Sequence, residues 1–484
     1  MSSNDDPSQI PSNRSTSGSL SLNGKHVLVL GMARQGKALG RWLPTQGAKV
    51  TLSDQRNAGD LADDLLEFIL EPDVNIVFGE QSVDLLDHAD MLCISGGVPV
   101  DLPIVQAAYE RDIPVTNDAI LFMERCPANI IGITGSAGKT TTTSLVGEMA
   151  KKAGKTTWVG GNIGNVLLDN IDDIKPDDFV VMELSSFQLE IANISPHIAT
   201  LLNVTPNHLD RHRTIEAYAA AKSHIFRHQS PDDILIYGRD NILASELADK
   251  SPGQRAAFSV MSLVSDGACM VGRRLVINGN CSPTGLSKII CNRDEVKLPG
   301  THNLSNVAAA CAIAGAAGIS PEAMREAILD FKGVQHRLEI VDVIDNVTWV
   351  NDSIATSPER VIAALNSFDR PIILLAGGRD KDLPWSELAK LATQRCKSVI
   401  CFGEYGPQIA KHITHAQRYT LSGTLRSTNT VTDLEAAVEM ANKVADEGDL
   451  VLLSPGGTSY DAYVDFSERG DHFRKLVKRL KRQH

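Results

Sequence analysis

Apolar residues along this chain come in short continuous runs. The first is "KHVLVLG" at 25–31, followed by "AKVTLSD" (48–54), "VNIVFG" (74–79), "MLCISGG" (91–97) and "IPVTND" (113–118). Runs of this length read as strands of a parallel sheet buried on both faces. Helix-like segments separate them, so the block predicts an α/β domain. "RCPAN" (125–129) reads as a linker. A second block runs from Asn129 to about Phe331, with strands "NIIGITG", "TTWVGG" (156–161), "DFVVMEL" (178–184), "IATLLNV" (198–204) and "DILIYG" (233–238). A β-like insert at about 255–298 and a small-residue helix, "NVAAACAIAGAAG" (306–318), complete it. The third block opens near "KGVQHRLE" (332–339) and carries strands "VTWVND", "PIILLAGG", "SVICFG" and "LVLLSPGG". The pattern predicts three α/β domains at 21–126, 127–332 and 333–484, after a polar tail, 1–20, that reads as disordered.

Composition narrows the class. A chain of 484 residues is too long for one ordinary core, and 43% hydrophobic with 22% charged is a globular balance. The net charge of −12 argues against nucleic acid or an anionic membrane as the main partner, while leaving room for a local anion cradle. The eight cysteines include no C-x-x-C pair, so they point to a reducing, cytoplasmic setting without a zinc or disulfide framework. No apolar run approaches the ~20 residues of a membrane span, and the N-terminus lacks the basic start and apolar core of a signal peptide.

Chemistry enters at "NIIGITGSAGKTTTTSL" (129–145). A strand runs into a glycine turn, Gly135-Ser136-Ala137-Gly138, then Lys139, Thr140, Thr141 and a helix. Glycines let backbone N–H groups face an anion, and the helix N-terminus adds positive potential. Lys139 would reach outer phosphates and Thr140 would place its hydroxyl on Mg²⁺. The strict phosphate-loop pattern misses by one residue, with Ile133 where a small residue would stand. The central block is therefore expected to be P-loop ATPase-like, flanked by Rossmann-like first and third domains.

Ligands of open α/β sheets gather at the carboxyl ends of strands. One strand of the central block ends at Glu183, before "LSSFQLE", and another ends in "NVTPNHLDRH", carrying His208 and Asp210. A carboxylate and an imidazole beside phosphates suit Mg²⁺. Singly, Glu183 reads equally as a helix cap and His208 as a loop histidine. In "TIEAYAAAKSHIFRH", Ile215, Tyr218, Lys222 and Ile225 share one helical face. A buried lysine would be neutral and able to take up CO₂ as a carbamate. The simpler reading is a stem that packs while its head reaches water.

With "GGNIG" (160–164), "GTHNLSNVAAA" (300–310), "HRLE" (336–339), "VNDSIATSPE" (350–359), "AGGRDKD" (376–382) and "LLSPGGTSYDAYVDFSERGDHF" (452–473), these motifs resemble the Mur ligase family over about 21–484. The resemblance is strongest to the branch that adds D-glutamate to UDP-N-acetylmuramoyl-L-alanine in peptidoglycan synthesis. It implies ATP-dependent phosphorylation of a carboxylate, then attack by an amino acid amine. It implies two Mg²⁺ ions, with Thr140 and Glu183 at one, and His208 and a carbamylated Lys222 at the other. Lys139, Glu183, His208 and Lys222 are then catalytic. Asn303, Asn306, Arg337 and Asp352 match ATP contacts beyond the loop. Asn162 and His208 match contacts to the nucleotide-sugar substrate. Thr356, Lys381, Ser459 and Phe466 match the D-glutamate site. Small molecules are the implied partners, on a monomer whose domains close on them.

Two positions depart from the family. Ile354 stands where relatives commonly have lysine, and Asn207 precedes His208 where an acidic residue is frequent. In the first block, "GMARQG" (31–36) reads as G-x-A-x-x-G, with Asp54 ending the next strand. Ala33 would hinder a dinucleotide pyrophosphate. The resemblance instead implies a UDP site with Arg34, Gln35, Asp54, Arg56 and the loop around Gly96. Alternatives are another Mur-type or folylpolyglutamate-like ligase, or an ATP-binding switch or NAD-binding protein without ligase activity. The joint presence of Lys139, Glu183, His208 and Lys222 speaks against a pure switch.

Overall fold

The computed structural model describes residues 21–61, 67–282, 284–298, 300–380, 383–420 and 422–481. The 1–20 tail lies outside them. Strands β1 (His26–Leu30), β2 (Lys49–Asp54), β3 (Val74–Phe78), β4 (Met91–Ile94) and β5 (Val115–Thr116) form a parallel sheet in the order β3-β2-β1-β4-β5. The continuous apolar run of β1 is explained by two buried faces. Leu28 and Leu30 pack with Leu92, Ile94, Ile104 and Val105, while Val27 and Val29 face a second core with Trp42 and Leu43. The chain leaves β1 towards β2 and later returns to β4 on its other side. That reversal opens a crevice at their carboxyl ends.

The central sheet has nine strands: β6 (Ile130–Thr134), β7 (Thr157–Gly161), β8 (Phe179–Glu183), β9 (Ile198–Leu201), β10 (Ile234–Gly238), β11 (Gln254–Ser259), β12 (Gly267–Val271), β13 (Arg274–Asn278) and β14 (Lys288–Asn292). Their order is β14-β13-β12-β11-β10-β9-β6-β8-β7, parallel except for the antiparallel pairs β12–β13 and β13–β14 of the expected β-like insert. The reversal falls at β6, so the loop after it sits at the switch point. The core containing Trp42 and Leu43 continues through Ile120 to Val166, Leu167, Leu168 and Ile171. The first two sheets thus share apolar packing and form one compact unit, Met1–Lys297 with Thr301–Phe331.

The second unit comprises Leu298–Gly300 and Lys332–His484. Its strands β15 (Glu339–Ile344), β16 (Val347–Asn351), β17 (Ile372–Gly377), β18 (Cys396–Phe402), β19 (Ser427–Thr430) and β20 (Leu450–Gly456) lie in the order β15-β16-β20-β17-β18-β19. The edge strand β15 runs antiparallel to β16. Among the described residues no helix is long and apolar enough to cross a membrane.

Candidate active site

The phosphate loop follows β6 and ends in the helix Lys139–Lys152. Gly138 caps that helix at φ +87°, and a Cβ there would meet the Asn306 carboxamide oxygen at 2.2 Å. Only glycine fits both constraints. The loop is braced from β9. Asn203 Oδ1 accepts from the Ala137 N–H at 2.9 Å, its Nδ2 donates to the Ala137 carbonyl at 3.0 Å, and Ser136 Oγ donates to the Thr205 carbonyl at 3.0 Å. Asn203 and Thr205 lie inside the "NVTPNH" motif, but their bracing role was not legible there. The first-turn N–H groups of a helix have no intrahelical partner, which leaves this end suited to an anion.

Glu183, at the end of β8, is buried at 2% exposure. Thr140 Oγ1 donates to its Oε2 and Asn162 Nδ2 to its Oε1, both at 2.9 Å. The helix after β8 is capped by Ser185 in a reciprocal pair with Gln188. Glu183 is therefore no helix cap, and the capping alternative falls.

Lys222 lies on the helix Ile215–Arg227 and is 1% exposed. Its Nζ donates to the Gly135 carbonyl at 3.0 Å and lies 3.4 Å from Thr134 Oγ1. The head does not reach water, so the simpler sequence reading is corrected. The lysine reaches inward to the loop because the whole face carrying Tyr218 and Ile225 is buried. Lys139 Nζ donates to the same Gly135 carbonyl at 2.8 Å. Burial, and then the charge of Lys139, pull Lys222 well below the ordinary lysine range. Its Nζ also sits 4.6 Å from the centroid of the Tyr218 ring, which lies 5.3 Å from the ring of the buried His212 and 6.4 Å from that of the exposed His208. His208 has φ +53° and its ring lies 5.2 Å from Phe187.

Thr140 and Glu183 offer adjacent hard oxygens. Among the described residues no group of three His, Cys, Asp or Glu converges as a protein-only cage. One carboxylate, with remaining positions left to water and phosphate oxygens, is how Mg²⁺ is commonly held. The residues fit such an ion. Asn303 and Asn306 sit beside the loop, with Asn306 Nδ2 donating to Asn303 Oδ1 at 3.0 Å.

In the first sheet Asp54 and Arg56 stand at the end of β2, while Gln35 and Gly96 meet beside the β1/β4 crevice. Asp54 accepts from the Met32 N–H at 2.8 Å and pairs with Arg56 through Nε and Nη2, both at 2.9 Å. Despite the opposing cost of burial, these bonds hold its carboxyl at about 2. A Cβ on Gly96 would lie 3.5 Å from Gln35 Oε1, so the two loops adjoin, and one on Gly36 would strike the Gly31 carbonyl at 1.8 Å. Arg34 turns from the crevice to the loop after β7. It donates to the carbonyls of Gly164 at 2.7 Å and Asn162 at 3.0 Å. A cavity of about 400 Å³ beside Asp54 is lined by Gln55, Gly79, Glu80, Gln81, Leu102, Pro103 and Ile104. Sequence reasoning missed these residues, and adjacency to Asp54 was the available signal for Gln55.

In the second unit Asp352 follows β16. It accepts from Ser454 Oγ at 2.9 Å and the Leu338 N–H at 3.2 Å, and burial pushes its carboxyl up to about 7. The exposed Arg337 lies in the turn leading to β15, and Thr356 in the loop after Asp352. Ser459 follows β20 and is buried. Phe466 opens the helix Phe466–Leu480, its ring 6.1 Å from His336. Lys381 lies outside the described residues.

Family models match along the chain: "Mur ligase MurD-like, N-terminal domain" at 25–117, "Mur ligase middle domain" at 133–314, and "Mur ligase, glutamate ligase domain" at 336–457. A UDP-N-acetylmuramoylalanine--D-glutamate ligase of Symbiobacterium thermophilum is 40% identical over 94% of this chain and 98% of its own. One of Clostridium botulinum is 38% identical over 94% and 97%. Among solved structures, a UDP-N-acetylmuramate-alanine ligase of Thermotoga maritima aligns with TM-score 0.54 and 20% identity, covering 95% of this chain and 100% of that one. A MurF ligase of the same organism, in complex with ADP, aligns with TM-score 0.50 and 19% identity over 94% and 96%. The likeness to these structures concerns the fold.

Proposed function

The chain belongs to the Mur ligase family, and on that premise we propose that it uses ATP to join D-glutamate to UDP-N-acetylmuramoyl-L-alanine, releasing ADP and phosphate. The observation that carries the reading is the convergence on one loop of Lys139, Lys222 and the Thr140–Glu183–Asn162 chain. A carboxylate is a poor electrophile, and transfer of a phosphoryl group gives it a leaving group. The loop's N–H groups and Lys139 hold the ATP phosphates where negative charge accumulates. The amine of D-glutamate then displaces phosphate from the acyl phosphate, and the amide forms.

Thr140 and Glu183 would hold one Mg²⁺, and His208 with Lys222 a second. When bound, the ions supply charge neutralisation at the transferring group. Asn162 fixes the orientation of Glu183. Lys222 acts as a carbamate: its neutral Nζ bonds to the carbon of CO₂ and releases a proton, turning a buried amine into an oxygen ligand. Asn303, Asn306, Arg337 and Asp352 bind the nucleoside end of ATP. Gln35, Asp54, Arg56 and Gly96 bind the UDP moiety, with Arg34 ordering the 161–164 loop. Thr356, Lys381, Ser459 and Phe466 receive D-glutamate. The assigned division is 21–126 for UDP, 127–332 for ATP and 333–484 for the amino acid, in a monomeric cytoplasmic enzyme.

The test is Lys139→Ala. Turnover should vanish with the circular dichroism spectrum and melting temperature unchanged, and wild-type turnover would overturn the mechanism. Lys222→Ala should also be inactive, with partial rescue by a small carboxylic acid if the carbamate reading holds.

A further inference from the structure

The helix Phe466–Leu480 carries an arginine, Arg469, that is 0% exposed. No carboxylate among the described residues forms an ion pair with it, and it sits in the helix's first turn, where a cation is disfavoured. Burial lowers its guanidinium to about 10, so it remains a cation at neutral pH. Burying a charge is costly, and the hydrogen bonds this one makes all go to neutral acceptors, with Asp461 acting on it only through its charge. Nε donates to Ser353 Oγ at 3.0 Å, Nη2 to the Ser353 carbonyl at 2.9 Å, and Nη1 to the Gly457 carbonyl at 3.2 Å. Nη1 also lies 3.0 Å from the place a Cβ would take on Gly378.

Ser353, Gly457 and Gly378 stand in the loops at the carboxyl ends of β16, β20 and β17, three neighbours in the sheet. Ser353 Oγ in turn donates to the Phe466 carbonyl at 2.7 Å. Thr458 and Arg379 exchange backbone hydrogen bonds of 2.8 and 2.9 Å, tying two of the loops directly. One rigid fork therefore fixes the backbone beside Thr356, Ser459 and Phe466. A lysine could carry the charge but could not span both carbonyls and the hydroxyl.

We propose that Arg469 is a positioning residue that holds the loops after β16 and β20, and through the Arg379–Thr458 pair the loop after β17, in register for the incoming amino acid. This rests on the D-glutamate reading of the second unit. The experiment measures KM for D-glutamate, ATP and the UDP-substrate in wild type, Arg469→Lys, Arg469→Met, Ser353→Ala and Ser459→Ala, with a thermal melt of each. A rise of about tenfold or more in KM for D-glutamate in Arg469→Lys, with KM for ATP within about twofold of wild type, is expected. An unchanged KM for D-glutamate in folded Arg469→Lys overturns the proposal, as does a uniform shift of all constants tracking lost stability. Should the Arg469 variants fail to fold, Ser353→Ala, which removes the Nε acceptor together with the bond from Ser353 Oγ to the Phe466 carbonyl, is judged by the same selective rise. Ser459→Ala separates the two readings. If it leaves KM for D-glutamate unchanged, the assignment of the amino-acid contacts fails, while Arg469→Lys still decides the role of Arg469.

Discussion

Asp118→Asn should stabilise the protein, and increasingly so as pH rises. Asp118 opens the helix Asp118–Arg125 where the first sheet meets the segment after β8. It is 2% exposed, its Oδ1 has no hydrogen-bond partner, and Gln188 Nε2 approaches Oδ2 only to 3.4 Å. Burial raises its carboxyl from 3.8 to about 6, against smaller opposing help from Gln188, backbone N–H groups and the charge of Arg34. The folded state therefore keeps a proton that the unfolded chain has lost. Below the unfolded value both states are protonated and there is no penalty. Stability falls as pH rises through this window, and the loss is complete above about 6. At about 1.4 kcal/mol per pH unit the full penalty is about 3 kcal/mol. Asparagine removes it. The advantage of the variant should grow from about 1 kcal/mol at pH 4.5 to about 3 kcal/mol at pH 7.5. That is about 5 °C in the transition of a unit this large. Scanning calorimetry of both proteins at those pH values reads it. An offset that is constant with pH, or that shrinks as pH rises, would refute the reasoning.

Two further substitutions test the same unit. Asn117→Ala removes both the cap on the Ile120 N–H and the 2.9 Å bond from Nδ2 to the Gln188 carbonyl, so it should cost about 2 kcal/mol in urea unfolding. Gly138→Ala forces a left-handed alanine against Asn306, so calorimetric binding of ADP should weaken at least about tenfold.

Elements were legible in the sequence where burial on both faces writes a continuous apolar run, as in β1, β6, β17 and β20. They were hidden where an edge strand needs no such run. β15 reads "EIVDVI" with only Ile344 buried, and β19 reads "STNT" with no apolar residue at all. At the site, Lys139, Thr140 and Glu183 could be placed because each ends a strand or opens a helix. The inward reach of Lys222 depends on Gly135, 87 residues away, and no spacing rule encodes it. The bracing of the loop by Asn203 and the contact of Asn117 with Gln188 are likewise tertiary facts. Shared packing of the first two sheets escaped the reading because a short linker such as "RCPAN" does not say whether the blocks it joins are separated or fused. Arg469 was passed over because one arginine in a charged helix looks like a solvated one.

The central claim is tested most directly by ATP-dependent phosphate release with UDP-N-acetylmuramoyl-L-alanine, in the presence of D-glutamate, L-glutamate or no amino acid. The account predicts sustained release only when the UDP-substrate and D-glutamate are both present. Release that is indifferent to D-glutamate, or that follows a different amino acid, would contradict it.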